Sequence, residues 1–477
     1  MAGPDVAPTH AQPAHHAALD SAPMGPQQYW IWLLASGGTL LDGFSIFSLG
    51  VAMPLVTGHF VLSPLMVGLI GSALVLGAAF GAAGGGPMAD RFGRKPAFLV
   101  DMAIVAAGAL ISAAAGAPVW LLLGQFLVGI GIGIDFPVSA SYVSEIMPKR
   151  TRSRMVVATI ALQSVGLLLG AAVAILTLRR WPSPVDWKSL LGATGVGAGA
   201  FLLLRLSLPE SPRWLTERGR APEAVRIVAG LVGGQPLPTP MSQPAVTTAA
   251  TQPGSRFGLL FSRPYRTRTM LASVPWFLMD IATYGVGLFT PVILGAIHLS
   301  STVTGPLAAD LIDAEGSATI DLFLFIGFLI GLWAVPRFGR IHMQVAGFVG
   351  MTLGMLILLF AVLATGGAAA HVALVFAGFI LFNLAMNAGP NATTFALAPE
   401  LFPTSVRASA SGFAAATAKV GATLGIFVLP LVKEHWGVAA VLAMMAVVGA
   451  LGAAVTAILA SKVPAIPEGR GIDDAGR

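Results

Sequence analysis

Long apolar segments alternate with short polar ones along nearly the whole chain. Twelve of the apolar segments reach or approach the length of about 20 residues that a helix needs to cross a bilayer. This pattern predicts an all-α membrane protein. The predicted spans, numbered 1 to 12, are 29–56, 65–85, 96–115, 119–143, 155–177, 188–207, 268–296, 317–335, 342–364, 372–398, 408–431 and 437–461.

The polar segments between the spans divide the chain into five regions. We predict a disordered cytoplasmic tail, a six-helix bundle, a cytoplasmic central loop, a second six-helix bundle and a short cytoplasmic tail. Within the central loop, APEAVRIVAGLV has the pattern of an amphipathic surface helix, and the Pro/Thr/Gln-rich part after it indicates a linker. The five regions are 1–28, 29–207, 208–267, 268–461 and 462–477.

Composition supports the membrane assignment. The 477 residues are 56% hydrophobic and 10% charged, whereas a soluble globular protein has about 25% charged residues. The chain has no cysteine, so disulfides and thiolate metal sites are excluded. The net charge of +6 comes from residues whose positions indicate membrane topology rather than binding to nucleic acid.

Lys and Arg concentrate in the loops on one side of the predicted bilayer. These are loops 2–3, 4–5, 8–9 and 10–11 and the central loop, while Arg179, Arg180 and Lys188 in loop 5–6 are exceptions. Because cytoplasmic loops carry an excess of Lys and Arg, both termini are predicted to be cytoplasmic. We expect a multi-pass protein of the cell (inner) membrane, with the lipid bilayer as its partner and no nucleic acid.

The sequence repeats itself in its two halves. RFGR occurs in loop 2–3 and again in loop 8–9, and SEIMPKRTR after span 4 shares its Glu, Pro and Arg spacing with PELFPTSVR after span 10. Several matches in the same order indicate two related six-helix halves. Secondary transporters are commonly built this way, with the binding site near the bilayer midplane between the halves.

Span 7 carries a carboxylate in the middle of an apolar segment. An ionised Asp there costs about 2.5–3.5 kcal/mol, so Asp280 requires a function or a partner. Trp276, Asp280 and Tyr284 recur at every fourth residue, which places them on one helix face. That face offers an indole N–H, a carboxylate and a phenol. The alternative is aromatic packing, with Asp280 bonded to a neighbouring helix.

Other polar groups also lie at mid-depth. Lys419 in span 11 needs a counter-charge or an anionic ligand, and a structural pair with a carboxylate is the alternative. Asp42 and Asp135 are candidates for proton transfer, because burial favours their protonated form; helix-to-helix hydrogen bonding is the alternative. Gln163 and Asn391 add neutral amides, a residue type that also joins helices in membranes.

Three further charges lie close to predicted span ends. We expect Asp101 and Asp321 to lie at the membrane interface. Arg205, near the cytoplasmic end of span 6, is expected to extend its charged end to the surface.

Several motifs resemble those of a known transporter superfamily. GPMADRFGRK (86–95) resembles the signature loop of the major facilitator superfamily, and PESPRWL (209–215) resembles a motif of its sugar-porter-related branch. WFLMDIATYG, GIGIDFPVSASYVSE and the run from GPNATTF to AKVGA are similar to segments of the phosphate:proton symporters. The resemblance implies twelve transmembrane helices in two pseudo-symmetric six-helix bundles.

The resemblance also implies roles for individual residues. Where that family usually has a second acid in span 1 this chain has Ser45, and where it has Tyr after the span-4 Asp this chain has Phe136. Substrate-binding positions are Gln163, Trp276, Asp280, Tyr284, Asn391 and Lys419, and proton-coupling positions are Asp42, Asp135 and Asp280. The gating motif comprises Gly86, Asp90, Arg91, Gly93, Arg94, Glu145, Arg152, Arg337, Arg340, Glu400 and Arg407.

The sequence thus predicts a proton-coupled symporter of a small anion that works by alternating access. Inorganic phosphate is the first candidate substrate, and a small organic metabolite, either a carboxylate or a sugar, is the alternative. We expect no enzymatic activity, because the chain has no metal-spaced His or acid cluster, no nucleophile motif and no phosphate-binding glycine loop. We also expect no cofactor, no metal and a monomer whose partners are the substrate and protons.

Overall fold

The computed structural model describes residues 13–180, 187–233, 257–296, 306–364 and 371–463. The predictions of a cytoplasmic tail at 464–477, of a linker around 235–255 and of disorder at 1–12 lie outside the described residues. The described chain is nearly all helical. Its first half contains α1 (Ala14–Ser21), α2 (Pro26–Ala35), α3 (Gly37–Phe60), α4 (Pro64–Phe92), α5 (Arg94–Ala113), α6 (Pro118–Ile146), α7 (Lys149–Arg180) and α8 (Trp187–Arg205).

Two short helices and a second set of long ones follow. In the described residues, ten helices are long and apolar enough to cross a membrane, and Leu322–Phe338 is a shorter apolar helix. The remaining elements are α9 (Pro212–Glu217), α10 (Ala221–Leu231), a 3₁₀ turn (Phe257–Phe261), α11 (Arg266–Ala296), α12 (Pro306–Phe338), α13 (Arg340–Leu363), α14 (Val372–Met386), a π-helical turn (Asn387–Asn391), α15 (Ala392–Leu401) and α16 (Thr404–Ala460).

The predicted internal repeat is visible in the backbone. Gly93 separates α4 from α5 with φ of 108°, and Gly339 separates α12 from α13 with φ of 81°. Only glycine adopts such angles readily. The two RFGR motifs therefore build the same turn in both halves, and the fold is an all-α membrane protein of two pseudo-symmetric six-helix bundles.

Four spans are not single helices with the predicted bounds. Span 1 is broken at Ser36 into α2 and α3. Span 10 contains the π-helical turn, which includes Pro390. Spans 11 and 12 run together in α16 and meet at Gly437, where φ is 79°. Breaks of this kind in membrane helices occur where the freed backbone groups lie against protein or a cavity.

The prediction of a disordered segment over 1–28 is wrong for α1. This helix buries Leu19, His15 and His16. Asp20 accepts hydrogen bonds at 2.9 and 3.1 Å from Arg213 and pairs with Arg152. The helix is ordered because partners distant in the sequence cover it, which composition does not reveal. The predicted amphipathic helix in the central loop is confirmed as α10.

Spans 1 and 5 approach each other through glycine. A Cβ added to Gly43 would lie 1.9 Å from the carbonyl oxygen of Gln163, and one added to Gly166 would lie 1.9 Å from that of Leu40. Small residues allow membrane helices to pack backbone against backbone. This contact fixes α3 against α7 immediately beside Asp42.

Gly43→Ala is expected to destabilise the protein by about 1–3 kcal/mol, because the added methyl group overpacks a backbone contact. Thermal unfolding in detergent micelles measures the change. Gly58→Ala is the matched control, since a Cβ added to Gly58 in the same helix would have no other atom within 4 Å. Equal melting temperatures for the two variants would contradict the contact.

Docking of α1 is expected to weaken in acid. Burial, together with nearby Arg213 and His15, lowers the pKa of His16 from 6.5 to about 3, although the Pro212 carbonyl and Asp20 oppose the shift. The docked helix therefore holds neutral His16. Its stabilisation is complete above pH 6.5 and falls by about 1.4 kcal/mol for each pH unit below that value, until about pH 3.

Hydrogen exchange of residues 14–21 at pH 7.5 and 5.5 measures this effect. After correction for the slower intrinsic amide exchange in acid, we expect lower protection at pH 5.5 than at pH 7.5 in the unmodified protein, and a smaller pH effect on protection in His16→Gln, which cannot gain a proton. An equal pH effect in both proteins would contradict the assignment to His16.

Candidate functional site

A cavity of about 640 Å³ lies between the two helical bundles. Its walls come from α3, α4, α6 and α7 in the first half and from α11, α12, α14, the π-helical turn and α16 in the second. Such a position, at mid-depth between two pseudo-equivalent halves, is where secondary transporters bind their substrates.

The second half supplies the charged wall of the cavity. Lys419 Nζ donates a hydrogen bond of 2.8 Å to the Tyr284 hydroxyl and lies 3.5 Å from Asp280 Oδ2. Trp276, Asp280 and Tyr284 all line the cavity, so the prediction that they share one face of span 7 is confirmed. Lys419 has the counter-charge that the sequence required, but 3.5 Å is the upper limit of a hydrogen bond. The pair is therefore loose.

An aromatic residue of the first half also faces the lysine. Lys419 Nζ lies 5.0 Å from the centre of the Phe136 ring and 4.8 Å from that of Tyr284. Cation–π attraction at this distance stabilises a desolvated ammonium group. Phe136 stands where the resembled family has a tyrosine, and it contacts the cation through its ring.

Neutral amides complete the polar part of the site. Gln163 lines the cavity, and its Nε2 donates a hydrogen bond of 2.6 Å to Asp42 Oδ2. Asn391 lines it as well and donates 2.9 Å to Asn387. Both asparagines belong to the π-helical turn, a feature that re-aims side chains and is frequent at functional sites. The structure thus brings the six predicted substrate-binding residues to one cavity, and Asp42 contacts it through Gln163.

Of the three predicted proton-coupling residues, Asp280 lines the cavity, Asp42 reaches it through Gln163, and Asp135 lies apart from it. The Oδ1 of Asp135 accepts a hydrogen bond of 2.6 Å from Arg205, which also donates hydrogen bonds of 3.0 and 3.1 Å to the two carboxylate oxygens of Asp101. All three side chains are fully buried. The predictions that Asp101 is interfacial and that Arg205 reaches the surface are wrong, because α5, α6 and α8 converge and bring the three side chains together in the interior. The side chain of Asp321 lies outside the described residues.

The gating motif joins the halves on one face of the protein. We call this the basic face; it carries α9, α10 and the turns at Gly93 and Gly339. Asp90 Oδ2 in the first half accepts two hydrogen bonds from Ser409 in the second half. One of 2.8 Å comes from the backbone N–H and one of 2.7 Å from the hydroxyl. Glu145 Oε1 lies 2.8 Å from Arg94 and 3.6 Å from Arg407. These five residues form the closing cluster.

The other motif residues have different surroundings. A Cβ on Gly86 would lie 2.2 Å from the Ala408 carbonyl oxygen, so glycine permits the halves to touch. Arg340 pairs with Glu400 within the second half. Arg91 and Arg337 are exposed and stack on Phe92 and Trp333, outside the closing cluster.

PESPRWL supports the closing cluster from the side. The Glu210 carboxylate accepts hydrogen bonds of 2.9 and 3.2 Å from the backbone N–H groups of Arg94 and Lys95, at the start of α5. Burial raises the pKa of Glu210 above its ordinary value, although these hydrogen bonds oppose the shift. Ser211 donates 2.7 Å to Glu145. The sequence analysis did not assign roles to Ser409, Glu210 or Ser211, although all three lie in motifs that it had singled out.

The cavity extends away from the closed face. Its lining includes Gly50 and Met53 from the second half of α3 and Val67 and Gly71 from the start of α4. Since α3 runs away from the basic face and α4 returns to it, these residues lie toward the opposite side of the membrane region. The structure therefore has its halves together at the basic face and a cavity on the other side of that contact.

Two helical bundles around a central cavity that contains a charged pair, closed at one face, have the construction of a secondary transporter. The family described as "Sugar (and other) transporter" matches residues 29–465, and the chain belongs to this family. Its fold is that of the major facilitator superfamily.

Individual relatives agree with this assignment. The chain is 28% identical to the inner membrane metabolite transport protein YgcS of Escherichia coli, over 94% of this chain and 95% of that protein. It is 29% identical to a repressible high-affinity phosphate permease of Neurospora crassa, over 86% and 78%. The structure of the proton:xylose symporter XylE is similar with a TM-score of 0.77, at 20% identity over 94% and 98% of the two chains.

Asp90→Asn is expected to loosen the basic face, because it removes the charge that draws Ser409 across the halves. The chain lacks cysteine, so Phe92→Cys with Phe338→Cys gives one spin label in each half, at equivalent, exposed positions. Electron–electron double resonance should show a longer or broader distance distribution in Asp90→Asn. Arg220→Gln is the control, since Arg220 is exposed and pairs with Glu223 in its own helix region. An unchanged distribution in Asp90→Asn would show that the closing cluster does not hold the face shut.

Proposed function

We propose that the protein is a proton-coupled symporter of a small anion that works by alternating access, with both termini in the cytoplasm. The observation that carries the proposal is the Lys419–Asp280 pair in the cavity between the halves. An ammonium beside a carboxylate, both reachable from the cavity, can exchange one partner for an anionic substrate. The excess of Lys and Arg on the basic face supports a cytoplasmic location of that face.

Coupling follows from the charges in this site. An anion bound to Lys419 would lie beside ionised Asp280 and be repelled by it, and charge repulsion is strong in a low-dielectric site. Protonation of Asp280 removes the repulsion and leaves Lys419 free to bind the anion. Proton and anion then cross together. Asp42, bonded to Gln163 on the facing wall, is a second carboxylate from which a proton can reach the cavity.

Inorganic phosphate is the first candidate for the anion. Lys419, the Trp276 indole, the Tyr284 hydroxyl and the amides of Gln163 and Asn391 supply donors for a tetrahedral oxyanion. The resemblance to phosphate:proton symporters and the similarity to the Neurospora phosphate permease support this candidate.

A small organic acid is the second candidate, and the rest of the cavity wall favours it. Leu74, Phe328 and Phe382 are among many apolar residues that line a volume of about 640 Å³. A phosphate ion takes up the space of only a few water molecules, at about 30 Å³ each. An organic anion would fill more of this space and cover its apolar wall, and a metabolite transporter is among the similar proteins. A neutral sugar would not use Lys419.

Asp280→Asn is expected to retain substrate exchange but to lose accumulation driven by a proton gradient. The amide keeps the shape of the protonated acid but cannot release a proton. Proteoliposomes with an imposed inward proton gradient measure accumulation, and counterflow without a gradient measures exchange. Glu223→Gln, the same change at an exposed acid, is the control and should accumulate substrate normally. Gradient-driven accumulation by Asp280→Asn would disprove the coupling role.

The substrate is tested by uptake of labelled phosphate, with aliphatic and aromatic monocarboxylates and hexoses as competitors. Competition by carboxylates alone would favour the second candidate, and inhibition by hexoses alone would contradict an anion site. Lys419→Met should abolish anion uptake. Full uptake by this variant would overturn the proposal that Lys419 holds the anion.

A further inference from the structure

A second group of buried charges lies in the first half, apart from the cavity. Asp101 of α5, Asp135 of α6 and Arg205 of α8 are each fully buried, and none of them lines the cavity. Burying charged groups is costly, and ion pairs alone often do not repay the cost. One guanidinium also faces two carboxyl groups here, so one-to-one ion pairing does not describe the group. Neutralisation is therefore an incomplete explanation for this group.

The guanidinium of Arg205 has a further set of contacts at the break in span 1. Its Nε donates a hydrogen bond of 2.9 Å to the carbonyl oxygen of Leu34, and its Nη2 donates one of 3.1 Å to the carbonyl oxygen of Ala35. These are the last residues of α2, before the break at Ser36. Carbonyl groups at a helix end lack partners within the helix. Arg205 supplies those partners inside the membrane region.

The other side of the break is in contact with the same group. A Cβ on Gly38, at the start of α3, would lie 2.0 Å from the Asp135 carboxyl carbon. Asp135 thus packs directly on the α3 backbone while its Oδ1 accepts from Arg205 Nη2 at 2.6 Å. Asp101 binds Nη1 of the same guanidinium. The charges from three helices therefore hold both ends of the broken helix.

The position of Asp42 depends on this junction. Asp42 lies six residues after Ser36, which corresponds to about 9 Å along the helix. Its Oδ2 accepts 2.6 Å from Gln163, a residue that lines the cavity. A rotation or shift of α3 at the break would change this contact.

We propose that Arg205 is a positioning residue that clamps the break in span 1 and thereby sets the contact between Asp42 and Gln163 on which proton coupling depends. Asp101 and Asp135 orient the guanidinium for this task. The functional consequence rests on the proton-coupled transport proposed above, whereas the position of α3 can be measured without any transport.

Arginine is required for this geometry. The guanidinium is a planar fork with five N–H donors, whereas lysine has a single ammonium group. Arg205 uses its Nε and both terminal nitrogens on acceptors from four directions. Arg205→Lys keeps the charge but cannot reach both carboxylates and both carbonyl oxygens together.

The first experiment compares Arg205→Lys with the unmodified protein. We expect a folded protein whose substrate-exchange KM stays within about threefold, whose gradient-driven uptake falls by about tenfold or more, and whose uptake has a shifted pH profile. Arg220→Lys, at an exposed position, should change none of these. Equal losses in exchange and uptake with an unshifted pH profile would indicate a purely structural role and overturn the proposal.

The second experiment separates the clamp from charge compensation. Arg205→Met combined with Asp101→Asn and Asp135→Asn removes all three charges, so no buried carboxylate is left without its counter-charge, but the donors to Leu34 and Ala35 are gone. If the group only balances charge, this triple variant transports normally and the proposal fails. If Arg205 is a clamp, the triple variant has the same coupling defect as Arg205→Lys.

A third measurement follows α3 directly. Gly50→Cys introduces the sole cysteine of the chain at an exposed position of α3 that lines the cavity. Its maleimide labelling rate should change in both Arg205 variants and not in Arg220→Lys. Unchanged labelling would refute the clamp. A changed rate in a protein that shows no proton-driven anion transport would keep the clamp and refute the proposed function alone.

Discussion

A charge inside a membrane must be paired or hydrated, and this constraint organises the whole protein. Ion pairs hold the halves together at the closing cluster, charges from three spans meet at Arg205, and one pair faces the cavity. The backbone follows the same rule, since carbonyl groups freed at Ser36 receive donors from Arg205. Most residues of the spans are apolar, and the paired charges join particular spans at the closing cluster, at Arg205 and at the cavity.

The pairs differ in how firmly they are made, and the difference matches their positions. Arg205 and Asp135 are 2.6 Å apart and fully buried. Lys419 and Asp280 are 3.5 Å apart and line the cavity. A tight, enclosed pair resists exchange of partners, whereas a loose pair beside a cavity accepts a competing ligand. The first therefore suits a fixed junction and the second a site that must bind and release.

The sequence predicted the features that repeat or that lie on one helix. The length of the apolar segments predicted the spans, and the repeated RFGR and Glu–Pro–Arg spacing predicted the two halves. The recurrence of polar and aromatic residues at every fourth position predicted the helix face that carries Asp280. Lys419 was recognised as a charge that needs a partner. Its pairing with Asp280 and its contact with Phe136 join spans far apart in the chain, so one sequence could not choose between the possible partners.

The errors have the same physical origin. Asp101 and Arg205 looked peripheral because each lies near the end of its own span, and only their convergence in three dimensions makes them central. Residues 14–21 looked disordered because their partners, Arg152 and Arg213, belong to other segments. Arg91 and Arg337 share a motif with Arg94 and Arg340 but point to the surface, a distinction that spacing in a loop does not encode.

The contact between Asp90 and Ser409 has a consequence for how freely this protein can vary. One of its two hydrogen bonds comes from the main-chain N–H of position 409, which every amino acid except proline possesses. A substitution of Ser409 would thus remove the hydroxyl hydrogen bond and leave the main-chain hydrogen bond in place. Any residue at 409 other than proline therefore keeps the main-chain bond, whereas no backbone group can replace the carboxylate of Asp90.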